Sequence, residues 1–178
     1  MNLSIPVIEL KAKAKLLGAF ACFVFLISIV LPFLQAVWQG GIYPEMRPGP
    51  ETFWSFKGTT EYSYLGRGRV VNEYWFSDYW FLDRISHYEG FGRWIGPALI
   101  ITLASQILVL LFSTLAIFLD KGQLFLCSIA FSASTLFCMC LVTYALHPDY
   151  ERYPVAGFWL SLLATALFVA ALLMSRKP

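Results

Sequence analysis

Residues 95–146 read IGPALIITLASQILVLLFSTLAIFL, then Asp120-Lys121, then GQLFLCSIAFSASTLFCMCLVTYAL. Neither apolar stretch contains a Lys, Arg, Asp or Glu, and only two charged residues separate them. A helix rises 1.5 Å per residue, so about 20 such residues cross a hydrocarbon core of roughly 30 Å. A connection this short joins only antiparallel neighbours. Working outward, 16–38 and 153–175 are equally free of charge. The expected fold class is an all-α membrane protein, a four-transmembrane-helix antiparallel bundle. Its spans are 16–38, 95–119, 122–146 and 153–175, joined by an outer segment 39–94, the turn 120–121 and a second outer loop 147–152. Residues 1–15 and 176–178 flank the bundle.

Composition agrees. Of 178 residues 58% are hydrophobic and 13% charged, too little charge to cover a soluble domain of this length. The net charge of +2 is too small to point to nucleic acid. Lys11, Lys13 and Lys15 before the first span could form the n-region of a signal peptide. The apolar run that follows exceeds an h-region of about 7–15 residues, and Leu34 suits the cleavage pattern poorly, so a retained helix is expected. Cys22, Cys127, Cys138 and Cys140 all fall inside spans, which leaves no outer disulfide framework and no CxxC pair. Cys138-Met139-Cys140 invites a soft-metal reading. Positions i and i+2 of a helix face different ways, however, so these read as ordinary bundle residues.

Lys11, Lys13, Lys15, Lys121, Arg176 and Lys177 flank the spans on one side, which the positive-inside rule makes cytoplasmic. Both termini are then cytoplasmic, in a plasma membrane or bacterial inner membrane. Trp38, Trp94 and Trp159 fall at the opposite interface, where an indole buries its ring and keeps its N–H wet; they read as interfacial anchors. Ala130 with Ser134, Gly157 with Ser161, and Ala166 with Ala170 are small-xxx-small pairs suited to close helix approach. Gln106 lies mid-span and requires an interhelical hydrogen-bond partner.

The outer segment carries what chemistry there is. Its entry, with Pro44, Pro48 and Pro50, reads as irregular. Two β-rich runs around Gly66-Arg67-Gly68 predict a hairpin over 59–76, and Ser77 or Asp78 opens a short amphipathic surface helix over 78–88. An isolated hairpin is marginal in water, so it must lean on the 147–152 loop, the membrane or a partner. His87 with Glu89, and His147 with Asp149, place both histidines outside, each two residues before a carboxylate. Together they would suit a divalent metal. Without an HExxH-type pattern they read as polar rim residues, and neither metal nor cofactor is implied beyond bound lipid. Gly66-Arg67-Gly68-Arg69 lacks the strand-to-helix setting of a phosphate loop and reads as a hairpin tip.

The order of span, hairpin loop with Trp54, Trp75 and Trp80, surface helix, and three further spans entered through Pro154 and Gly157 resembles the claudin-like four-pass family. That resemblance implies self-association or service as an auxiliary channel subunit. The family's loop signature, a Trp, then Gly-Leu-Trp and two cysteines, is absent, so no functional residue carries over.

Three functions are open to such a chain. The first is a non-catalytic accessory or assembly subunit that docks on other integral membrane proteins through Trp54, Tyr74, Trp75, Trp80 and Phe81. The spans hold no ionisable group of the kind that marks an ion path, and the loop is crowded with rings. The second is a self-associating claudin-like protein, or an immunity-type binder that blocks a toxin. The third is a membrane enzyme using the four His and carboxylate residues at its outer face.

Overall fold

The computed structural model describes residues 4–38, 46–54, 56–64, 68–75, 95–145 and 150–175. Helix α1 runs Ser4–Val30, α2 Ile95–Phe118, α3 Leu124–Ala145 and α4 Ala156–Ser175. Strands β1 (Leu34–Trp38), β2 (Met46–Phe53), β3 (Lys57–Tyr64) and β4 (Gly68–Trp75) lie between α1 and α2, and β5 (Tyr150–Pro154) precedes α4. All four helices are long and apolar enough to cross a membrane. They pack in a ring, α1 on α4, α4 on α3, α3 on α2 and α2 on α1. Each buries one stripe at three- and four-residue spacing. In α4 the stripe is Gly157, Ser161, Ala164, Phe168, Ala171 and Leu172.

The five strands form one antiparallel sheet in the order β4-β3-β2-β1-β5. Two strands occupy sequence that hydropathy assigns to membrane helices. The first span ends as helix at Val30, and Leu34–Trp38 is β1 rather than the last turn and a half of a helix. Pro32 causes the break, because a proline disfavours helical geometry in the residue before it. Phe33, Leu34 and Ala36 are nevertheless buried, which is why this stretch is as apolar as the helix before it. Likewise α4 begins at Ala156, and Tyr153 and Pro154 belong to β5. The segment around Pro48 and Pro50, expected to be irregular, is strand β2. Its register against β3 shifts between Pro48 and Glu51, and such a bulge accommodates residues that cannot donate to the ladder.

Strands β3 and β4 pair from Lys57 with Trp75 to Tyr64 with Gly68, through the stretch read as a hairpin. The hairpin leans on β2, and β2 leans on β1. On its other side β1 pairs with β5, from Leu34 opposite Pro154 to Trp38 opposite Tyr150. The sheet is fastened to the bundle where β1 and α4 meet. Phe33 N–H donates to Phe53 C=O (2.9 Å), Val155 N–H to Phe33 C=O (3.1 Å) and Gly157 N–H to Pro32 C=O (2.9 Å). The last bond satisfies one of the donors that a helix N-terminus otherwise leaves unpaired. It requires α4 to approach the backbone of Leu31 and Pro32 so closely that only glycine fits at 157.

The bundle core has two apolar clusters. One lies against the sheet and holds Phe33, Leu34, Ala36, Ala98, Leu99, Cys138, Met139 and Val142. The other fills the far half, built on Ala21, Phe25, Val109, Phe125, Ala164 and Phe168. At the far end Lys15 Nζ lies 3.2 Å from Asp120 Oδ1 and ties α1 to the α2–α3 turn beside a recess of about 40 Å³. Asp120 takes a left-handed backbone (φ 54°), a conformation Asp tolerates better than most residues.

Candidate functional site

The strand pairing gathers part of the aromatic set at one end of the sheet. Trp54 closes the β2–β3 turn, its backbone N–H donating to Lys57 C=O at 2.8 Å. The Lys57 ammonium lies 4.8 Å from the centre of the Trp54 ring and 3.3 Å from Glu73 Oε1 on β4. The three residues thus link β2, β3 and β4 through a cation–π contact and an ion pair. Trp54 is half-buried. Tyr74 and Trp75 lie across from Gly58 and Lys57 in the β3–β4 ladder, beside this cluster. Trp80 and Phe81, the 78–88 helix and Trp94 lie outside the described residues. Trp38 closes β1 opposite Tyr150. Trp159 is 55% exposed on the first turn of α4, its ring edge-on to Phe158 at 5.5 Å.

Strand β4 pairs with β3 alone among the described residues and so forms one end of the sheet. Val71 and Glu73, alternate residues of β4, are exposed on one face. At the opposite end, Tyr153 of β5 donates its hydroxyl to Glu151. That hydrogen bond, with the nearby carboxylate charge, pushes the phenol above its ordinary value of 10.0.

His87, Glu89, His147 and Asp149 all lie outside the described residues. Among the described residues there is no group of three or more His, Cys, Asp or Glu side chains that would hold a metal ion. Cys138 is buried and Cys140 exposed, as their two-residue spacing on α3 requires.

Inside the bundle, a polar layer separates the two apolar clusters. Every helix contributes to it: Ser28 from α1, Thr102, Ser105 and Gln106 from α2, Ser132, Ser134 and Thr135 from α3, Ser161 and Thr165 from α4. Within this layer hydrogen bonds cross between helices from Ser161 to Ser28 (3.0 Å), from Ser105 to Ser134 (3.3 Å) and between Ser132 and Thr165 (2.6 Å), and outside it Ser113 donates to Cys22 Sγ (3.4 Å). Two of the small-residue pairs read from sequence each place one member away from these interfaces, although Ser134 bonds Ser105. Ala130 and Ala166 are exposed, whereas the buried stripes use Ser128 and Ser132 on α3 and Ala164 and Ala171 on α4. Four-residue spacing identifies a face without saying which way that face looks; the pair Gly157 and Ser161 does look inward. Gln106 was expected to bond across helices. It is fully buried, yet neither Oε1 nor Nε2 has a hydrogen-bond partner.

No protein-family model matches the chain, and no curated protein matches it.

Proposed function

We propose that the protein is a non-catalytic membrane subunit whose outer sheet is a rigid docking platform for other integral membrane proteins. The observation that carries this reading is the attachment of the sheet: β1 and β5 lead directly out of α1 and into α4, and backbone hydrogen bonds from Val155 to Phe33 and from Gly157 to Pro32 join the start of α4 to the segment between α1 and β1. A sheet so mounted keeps a fixed pose over the membrane. Binding to a preformed surface avoids the ordering cost that a flexible loop incurs. The aromatic end around Trp54, Tyr74 and Trp75 supplies the residue types that favour interface cores. Lys57 and Glu73 beside them supply a charged rim. With the positive-inside rule, the sheet lies on the outer side and both termini in the cytoplasm. The described membrane segments 16–30, 96–118, 124–144 and 156–175 contain no charged side chain, which disfavours an ion or proton path through the bundle.

A second reading draws on a separate observation. An end strand presents unpaired N–H and C=O groups and is a template for another strand. β4 is such a strand among the described residues, and a second copy pairing there would give the self-association that the claudin-like resemblance implies.

A photo-crosslinking amino acid at Val71 or Glu73 in full-length protein at native abundance separates the two. Adducts with other membrane proteins in a fixed ratio, reduced by Trp75→Ala, are the expected result. Adducts only between copies of this chain would replace docking with self-association. No adduct from either position would remove both.

A further inference from the structure

Gln106 presents the sharpest unmet chemical demand in the molecule. Its side chain is fully buried at the middle of a membrane-spanning helix, and both amide atoms are unpartnered. A primary amide removed from water without hydrogen bonds is strongly unfavourable, and lipid offers it nothing.

The surrounding hydroxyls do not meet that demand. Thr102 donates to Ala98 C=O (2.8 Å), Ser105 to Ser134 (3.3 Å) and Thr135 to Phe131 C=O (3.1 Å). Ser28 donates to Phe25 C=O (2.6 Å), and Ser161 is engaged with Gly157 C=O (2.9 Å) and Ser28 (3.0 Å). Each hydroxyl has one proton; those named above are committed, and Ser134, which accepts from Ser105, is hydrogen-bonded to the Cys138 thiol. What the layer retains is acceptor capacity on the hydroxyl oxygens. The Gln106 carbonyl therefore needs a donor from outside the side-chain set, and its NH2 needs an acceptor.

We infer that Gln106 heads a binding site for internal water in the polar layer between the two apolar clusters. Water both donates and accepts, and a buried water normally makes about three hydrogen bonds. One molecule donates to Gln106 Oε1 and to a hydroxyl oxygen of a facing helix; another accepts from Nε2. The small side chains that all four helices bring to this level favour such a site over close apolar packing. A lipid headgroup has no access to a side chain with 0% exposure sealed by apolar clusters on both sides. A metal ion would meet only neutral oxygens, a poor substitute for its hydration shell in a low-dielectric interior. The site is independent of the docking role, because no residue of the sheet takes part.

The test uses full-length protein in lipid nanodiscs with glutamine side chains labelled by ¹⁵N. The chain has four glutamines, at 35, 39, 106 and 123, and Gln106→Leu assigns the pair of amide protons by its disappearance. If that variant does not fold, Gln106→Asn, whose amide carries no label, assigns the same signals by their disappearance. The expected result is a cross-peak from the Gln106 amide protons to the water resonance, opposite in sign in NOE and ROE spectra. It persists in Thr102→Val and in Ser105→Ala, which remove the hydroxyls flanking Gln106 on α2. Absence of the water cross-peak, or its loss in either hydroxyl variant as relayed magnetisation requires, overturns the site.

Discussion

Gly157→Ala tests the attachment of the sheet to the bundle. A Cβ at this position would stand 2.6 Å from Leu31 O, 2.7 Å from Pro32 O and 3.0 Å from Pro32 C. All three are backbone atoms, so no rotamer change relieves the contact, and the start of α4 must retreat by several tenths of an ångström. Overpacking of this kind costs about 1–3 kcal/mol. The same retreat lengthens the Gly157 N–H to Pro32 C=O bond, now 2.9 Å, and a buried pair weakened in this way costs about 1–2 kcal/mol more. Alanine's better helix propensity returns at most about 1 kcal/mol. The net loss is about 1–4 kcal/mol, which lowers the melting temperature of a chain this size by roughly 2–16 °C. The assay is a tryptophan-fluorescence melt of the purified full-length protein in detergent. Gly122→Ala is the comparison, because its Cβ meets Ser175 Oγ and Cβ at the last residue of α4, where a fraying helix end can yield, rather than the backbone of an interior turn. A Gly157→Ala melt within about 1 °C of wild type, or a larger loss in Gly122→Ala, would refute the reasoning.

Ser132→Ala removes the 2.6 Å hydroxyl contact between α3 and α4 and is expected to cost about 0.5–1.5 kcal/mol, with a double-mutant cycle against Thr165→Val returning most of it as coupling energy. Gly18→Leu drives a side chain into the Phe125 ring on α3. Melting temperature should fall, and Phe125→Ala in the same chain should recover part of the loss; no recovery would mean that Gly18 serves some other purpose. The Tyr153 phenol, raised by its hydrogen bond to Glu151 and by that carboxylate's charge, should ionise late in an ultraviolet titration, with Tyr153→Phe as the subtraction. A raised phenol favours the folded state while it is protonated, so its contribution is present below its ordinary value of 10.0 and fades as pH rises above it. Glu151→Gln should bring the titration down, and an unchanged curve would count against the contact.

The contrast between sequence and structure is clearest at two prolines. Charge-free length identified four helices long and apolar enough to cross a membrane, because burying a charge or an unpaired peptide group in hydrocarbon is prohibitive and a span must show itself in composition. Alternation and turn residues likewise marked 59–76 as strand-rich. Yet hydropathy extended the first helix through Leu34–Trp38 and the last one back to Tyr153, since a strand buried against a bundle is as apolar as a helix facing lipid. Only the pairing of β1 with both β2 and β5 determines that these segments are strands and that one sheet joins the segment after α1 to the segment before α4. The same limit explains Ala130 and Ala166. Sequence spacing places residues on a common helix face, but which face looks inward depends on the neighbouring helices. Gln106 makes the point most directly. Its polarity at mid-span was plain from sequence, whereas its complete burial without a side-chain partner was decided by how four helices came together.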